Sequence, residues 1–131
     1  MISLNFRDSR PIYEQLKENL RQMILSGAIA AEEKLPSVRE LASDLAINPN
    51  TIMRAYREME AAGFIYTIPG KGSFAAPLNE VHDETRRKLM DQFSETARVL
   101  LQLGVSAQLL NEMIQKETDR IDSSKSSDQT V

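Results

Sequence analysis

The stretch 35–76 reads LPSVRELASDLAINPNTIMRAYREMEAAGFIYTIPGKGSFAA, and the fold of the chain turns on it. Val38, Leu41, Ala42 and Leu45 recur at i, i+3, i+4 and i+7, a stripe that lays one face of a helix on a core. Ser37 followed three residues later by Glu40 is a capping-box signature, and Pro36 keeps the chain extended up to that cap. A second helix starts at Asn48-Pro49, where Asn caps orphan amides and Pro occupies the first helical position without losing a needed N–H. It stops at Gly63. Residues 64–68, Pro69-Gly70-Lys71-Gly72 and 73–76 then read as strand, glycine-rich tip and strand. Two capped helices joined by the short turn 46–48 and followed by a hairpin predict a winged helix-turn-helix.

On a wheel of about 100° per residue, Ile52, Ala55, Tyr56 and Met59 share one side of the second helix. The opposite arc carries Asn50, Thr51, Arg54, Arg57, Glu58 and Ala61. In isolation such an arc is a solvated face. Placed between a helix-to-helix turn and a hairpin, it is slim and polar enough to enter a DNA major groove, which is roughly 12 Å wide.

Upstream, residues 2–6 alternate apolar and polar and predict a short strand. From Pro11, Ile12, Leu16, Leu20 and Ile24 repeat every four residues, with Tyr13 and Met23 alongside, and Gly27 closes this first helix. Residues 28–34 read as a connector. The expected core is Ile12, Leu16, Leu20, Ile24, Leu35, Val38, Leu41, Leu45, Ile52, Tyr56, Met59, Ile65 and Phe74, an adequate but marginal apolar set for so small a module.

After Pro77 the pattern changes. Val81, Leu89, Phe93, Ala97, Leu100 and Leu101 follow helical spacing up to Gly104, predicting a helix of about 25 residues, roughly 37 Å long. Ser106 caps another helix, with Leu109, Leu110, Met113, Ile114 and Ile121 as its apolar stripe and Val105 placed to staple onto Leu110. The final run SSKSSDQTV lacks periodicity and is expected to be disordered. The chain is thus divided into a winged helix-turn-helix over 1–77, a two-helix segment over 78–122 and a tail over 123–131. Its class is mainly α with a small β-hairpin (α+β).

Two helices cannot enclose a core alone, because part of each stripe would face water. Packing on the head is one solution and self-association is the other. The second is favoured: homodimers are the commonest oligomers, and a two-fold protein matches a palindromic DNA site. Leu89, Phe93, Leu100, Leu101, Leu110, Met113 and Ile114 are the expected dimerisation residues.

Composition removes several classes. With 131 residues, 41% hydrophobic and 27% charged, the chain has a globular balance. The absence of cysteine excludes disulfides, thiolate metal sites and cysteine nucleophiles. One histidine, His82, cannot form a histidine metal cluster; it lies in a polar run, reads as a surface residue, and no Gly-x-Ser-x-Gly elbow accompanies it. No metal or cofactor is expected. No apolar run reaches the roughly 18 to 20 residues of a membrane span, and the N-terminus lacks a signal-peptide pattern, so a cytoplasmic protein without membrane contact is expected. The net charge of −3 argues against a generic nucleic-acid coat. Yet residues 1–77 balance nine Lys/Arg against nine Asp/Glu, so the acidity belongs to the C-terminal part.

The residues resemble the GntR family of bacterial transcription regulators, and the short helical tail resembles its YtrA-like subfamily. Pro11-Ile12-Tyr13-Glu14-Gln15-Leu16, Gly27, Leu35-Pro36-Ser37-Val38-Arg39-Glu40-Leu41-Ala42, Asn50-Thr51, Arg54-Ala55-Tyr56, Gly63 and Gly70-Lys71-Gly72-Ser73-Phe74 fall in family order and spacing. The likeness spans residues 3–76, while the tail matches in length and helix number. Glu32 stands where the family often has glycine, and Pro49 replaces a more usual small polar residue.

The resemblance implies that Arg39 and Arg54 approach guanines or adjacent phosphates. An Arg fork pairs with guanine O6 and N7 and contributes about 1 to 3 kcal/mol of discrimination. Ser37, Asn50 and Thr51 lie at helix starts, which suit phosphate oxygens, Ser37 capping first and contacting DNA second. Lys71, between Gly70 and Gly72 at the wing tip, is placed for the minor groove or reads as a plain solvated lysine. Arg57 reaches a phosphate or stays exposed.

The family's C-terminal part usually senses a small molecule, but residues 78–131 offer no polar cluster that reads as an enclosed pocket, and no effector is assigned. By resemblance, the implied role is repression of an ABC-type transporter operon. Two rivals remain: a winged-helix protein–protein interaction module indifferent to Arg39 and Arg54, and an enzyme. No nucleophile–base pair, phosphate loop or metal spacing supports the enzyme.

Overall fold

The computed structural model describes residues 2–128, with side chains to residue 124. Along the chain run α1 (Ile12–Ser26), α2 (Val38–Leu45), α3 (Pro49–Ala62), β1 (Ile65–Ile68), β2 (Gly72–Ala75), a 3-10 turn (Leu78–Glu80), α4 (Asp83–Gln102) and α5 (Ala107–Asp128). The mainly helical class with a small hairpin is as expected. The chain forms two compact units divided between Arg86 and Arg87.

In the first unit α1, α2, α3 and the hairpin surround one core. Leu16, Leu20 and Ile24 of α1 meet Leu41 and Ala42 of α2 and Ile52, Ala55, Tyr56 and Met59 of α3. Both N-caps form, the Ser37 hydroxyl accepting the Glu40 amide at 3.0 Å and Asn48 Oδ1 accepting the Asn50 amide at 2.9 Å, but the Glu40 carboxylate does not return the second bond of a capping box. Helix α3 closes at Gly63, where the amides of Gly63 and Phe64 bond the carbonyls of Glu60 and Met59.

Several expectations change. Phe74 leaves the core: β1 pairs antiparallel with β2, Ile65 opposite Ala75 and Tyr66 opposite Phe74. Ile65 and Ala75 therefore point inward, while Phe74 stacks on Tyr66 on the other face, ring centroids 5.6 Å apart. Ile12, in the first turn of α1, is only half-buried. Ile29, Phe64 and Val81 complete the core instead.

The connector 28–34 contributes a third, short pairing. Leu35 N–H donates to Ser73 O (2.8 Å), Ala75 N–H to Glu33 O (2.9 Å) and Glu32 N–H to Ala75 O (2.7 Å), with Lys34 bridged to Phe74. Glu32 reaches this pairing with φ 71°, a left-handed conformation that explains why glycine suits the position. Its carboxylate accepts the Tyr66 hydroxyl, and that bond holds the phenol above its ordinary pKa.

Residues 2–6 form no strand. Their backbone is served by side chains of α1: Gln15, 3% exposed, accepts the Asn5 amide at 2.8 Å and donates to the carbonyls of Asn5 and Arg10. Asn19, one turn later, accepts from Ser3 N–H and donates to Ser3 O. Side-chain amides thus stand where a neighbouring strand would.

The first unit also extends past the expected boundary at residue 77. Val81 is buried in the head core, the Thr85 hydroxyl donates to Ala62 O at 3.1 Å, and Arg86 donates to the carbonyls of Val81 and Leu78. The long helix is accordingly shorter than expected, 20 residues from Asp83. Its predecessor is a 3-10 turn, because Pro77 and the packing of Val81 hold that segment against the core.

In the second unit, α4 ends at Gly104 with the Val105 amide on Leu100 O, and the Ser106 hydroxyl caps the next helix by accepting the Leu109 amide at 3.1 Å. The expected disordered tail is corrected over 123–128, where α5 continues to Asp128. No Gly or Pro interrupts that run, so adding each residue to an existing helix costs little. Residues 129–131 lie outside the described residues. No residue of α4 is buried, and Leu89, Phe93, Leu101, Met113 and Ile114 are exposed, with Leu100 and Leu110 half-buried.

Candidate nucleic-acid interface

At the start of α2 the Ser37 oxygen accepts a backbone amide, leaving its proton for an outside acceptor. One residue beyond Val38, Arg39 is exposed and makes no hydrogen bond or ion pair with the described residues.

The start of α3 is more restricted than its sequence indicates. Pro49 has no N–H, the Asn50 amide bonds Asn48 Oδ1, and the Thr51 amide bonds Asn48 O at 2.9 Å. Any contact there must therefore use the side chains of Asn50, exposed, and Thr51, half-buried. Arg57 lies on the same outward arc, exposed.

Arg54 is exposed but held. Its guanidinium carbon sits 3.7 Å from the centroid of the Tyr13 ring, and its Nε lies 4.0 Å from Glu58 Oε2.

The hairpin tip is set by Ile68-Pro69-Gly70-Lys71, with the Lys71 amide on Ile68 O (2.9 Å) and Gly70 at φ 79°. Pro second and a positive-φ Gly third are the requirements of a type II turn. Lys71 projects from that tip, exposed.

An open cleft of about 340 Å³ brings the wing and the helix-turn-helix together, lined by Ser37, Tyr56, Lys71, Gly72, Ser73 and Lys34 among others. Lys34 was not among the residues expected from sequence. Its stem passes so close to Gly72 that a Cβ there would come within 2.9 Å of Lys34 Cε. Its place directly before Leu-Pro-Ser is the one signal the sequence offers, and the pairing that brings it to the wing is with Phe74 of β2. The expected site residues thus fall into two groups, Ser37, Lys71 and Gly72 at the cleft and Asn50, Thr51, Arg54 and Arg57 along α3, with Arg39 apart from both on α2.

A second hollow, about 230 Å³, is bordered by Glu60, Gly63, Tyr66, Glu80 and His82. Among the described residues, no group of His, Cys, Asp or Glu side chains could hold a metal ion, and no helix is long and apolar enough to cross a membrane.

These elements define a winged helix-turn-helix protein, with a polar helix and a glycine-bounded wing on its outside. The family profile described as "Bacterial regulatory proteins, gntR family" matches residues 12–74. The chain is 36% identical over 115 residues to the uncharacterized HTH-type transcriptional regulator YhcF of Bacillus subtilis (strain 168), covering 87% of this chain and 95% of that protein. It belongs to the GntR family.

It is also 45% identical over 74 residues to the HTH-type transcriptional repressor YtrA of the same organism, spanning 56% of this chain and 57% of that repressor's length. Among solved structures, a protein titled transcriptional antiterminator from Listeria monocytogenes EGD-e superposes with a TM-score of 0.79 at 30% identity, covering 92% of each chain. The AraR DNA-binding domain in complex with operator ORR3 superposes with a TM-score of 0.51 at 30% identity, over 56% of this chain and 89% of that one. The relatives are DNA-binding transcriptional regulators, not enzymes.

Proposed function

We propose that this protein is a sequence-specific repressor that binds a palindromic operator as a homodimer. The observation that carries the reading is the exposed arc of α3, where Asn50, Arg54 and Arg57 stand outward from the buried Ile52, Ala55, Tyr56 and Met59. In this reading α3 enters the major groove, where Arg54 pairs with a guanine edge, and Arg39 contacts a second guanine or its phosphate. The Asn50, Thr51 and Arg57 side chains and the Ser37 hydroxyl position the backbone, and Lys71 beside Gly72 follows the minor groove.

The homodimer rests on the second unit. Leu89, Phe93, Leu101, Met113 and Ile114 are each more than 40% exposed in the single chain, an apolar surface that a second copy would cover. The two units then divide the work, the first reading DNA and the second pairing two copies. The likeness to the YtrA repressor supports repression, and a transporter operon is the target implied by that subfamily. No effector or membrane partner is assigned.

Selection of bound sequences from random duplex DNA with the full chain tests the reading. A two-fold motif with half-sites about one helical turn apart is expected. Failure to enrich any motif would overturn it in favour of a protein–protein interaction module.

A further inference from the structure

Helix α1 lies outside the helix-turn-helix, yet two of its side chains meet the arc of α3. Tyr13 and Lys17 are one helical turn apart on α1; Arg54 and Glu58 are one turn apart on α3. The Arg54 guanidinium lies on the Tyr13 ring at 3.7 Å, well inside the roughly 6 Å reach of a cation–π contact. Glu58 stands between the cations, Oε1 at 3.9 Å from Lys17 Nζ and Oε2 at 4.0 Å from Arg54 Nε.

We infer that Tyr13 is a positioning residue for base readout, holding the Arg54 guanidinium in place before DNA arrives. This rests on the reading of Arg54 as a DNA-contacting side chain. Three features of the contact favour pre-organisation over sequestration. The Arg54 side chain stays 59% exposed while stacked. Its terminal Nη atoms make no hydrogen bond to the described residues, so the two donors of a guanine fork remain available. Glu58 Oε2 makes no hydrogen bond within the chain and lies 4.0 Å from Arg54 Nε, so the guanidinium has a charge partner on its own helix, a weak surface pairing that adds to the stack.

The free-energy argument concerns entropy. A free arginine samples many rotamers and must give them up on binding. A guanidinium already packed between a ring and a carboxylate has lost that freedom in the unbound protein, and the loss no longer opposes association. The Tyr13 hydroxyl contributes only a long contact of 3.4 Å to Glu14. Phenylalanine should therefore serve as well as tyrosine at this position.

The test runs the same selection and affinity titration with the full chain, Tyr13→Phe, Tyr13→Leu, Tyr13→Met, Arg54→Ala and the double variant Tyr13→Leu/Arg54→Ala. Tyr13→Phe is expected to keep the motif and the affinity. Tyr13→Leu should weaken binding about threefold to fivefold, the cost of ordering one long side chain on association, and relax the same base position that Arg54→Ala relaxes. Adding Tyr13→Leu to Arg54→Ala should change nothing further.

If Arg54→Ala leaves the motif intact, or no motif exists, the assignment of Arg54 fails and this inference with it. If Arg54→Ala matters while Tyr13→Leu is silent, tightens binding, or weakens the double variant equally, the inference alone is overturned. Should Tyr13→Leu fail to fold, Tyr13→Met, which also lacks the ring, decides: it must relax that same base position, and an unchanged motif overturns the inference.

Discussion

The Tyr56 hydroxyl donates to the Pro36 carbonyl at 2.7 Å. One bond thus ties the middle of α3 to the extended residue just before the cap of α2. Tyr56 is 6% exposed, and burial, with the Glu40 charge nearby, pushes its phenol up to about 12.

Replacing Tyr56 by Phe keeps the ring and leaves the Pro36 carbonyl without its donor, so a loss of about 1 to 2 kcal/mol in urea unfolding is expected. The pH dependence has a definite sign. The folded protein favours the neutral phenol, so this contribution is intact below the ordinary value of 10.0 and declines as pH rises toward about 12. Wild type should lose stability across that interval, and Tyr56→Phe should lack this component of the decline.

Ala46 closes α2 in the left-handed conformation, φ 55°, with the Ile47 amide on Ala42 O at 3.1 Å. A residue bearing Cβ is strained there by roughly 1 to 2 kcal/mol. Ala46→Gly relieves the strain and gives back part of it as unfolded-chain entropy, for a net gain of about 0.5 to 1 kcal/mol. Thermal denaturation should show a midpoint a few degrees higher.

Lys71→Ala is expected to weaken binding to every duplex alike. The slope of log affinity against log salt should fall by about one, the signature of one lost phosphate contact. Lys34→Ala should do the same, because Lys34 lines the same cleft. A change confined to one sequence would argue for base contact by either lysine instead.

Phe93, 58% exposed on α4, offers a way to separate assembly from folding. Phe93→Glu removes no buried side chain from the single chain, so the head should unfold as before. Light scattering at micromolar concentration should report a dimer for wild type and a monomer for the variant; a monomeric wild type would remove the dimer.

The local signals read correctly because they are local. Ser37, Asn48 and Ser106 each cap from within three residues, and Gly63 and Gly104 each end a helix through the adjoining turn. Such bonds need no distant partner, so chain order alone predicts them. The same holds for the buried stripe of α3, which follows from a period of 3.6 residues. The family resemblance likewise rests on the order and spacing of residues.

Where the first unit departs from its sequence reading, a partner remote in sequence decided. Phe74 is apolar enough for a core, but its pairing with Tyr66 set its parity and turned it outward. Residues 2–6 alternate like a strand, but the amides of Gln15 and Asn19 already satisfy their backbone. Lys34 looked like part of a connector until β2 supplied its neighbour.

Arg54 shows the division within one side chain. Its outward place on the helix follows from its position between Ile52 and Ala55, whereas its seat on Tyr13 depends on how α1 crosses α3. The sequence by itself determined the three head helices, the hairpin, the helix caps and the family, because period and capping act within a few residues. Only the tertiary structure decided which face each strand residue shows and what holds each exposed charge, because those depend on surfaces brought together from far along the chain.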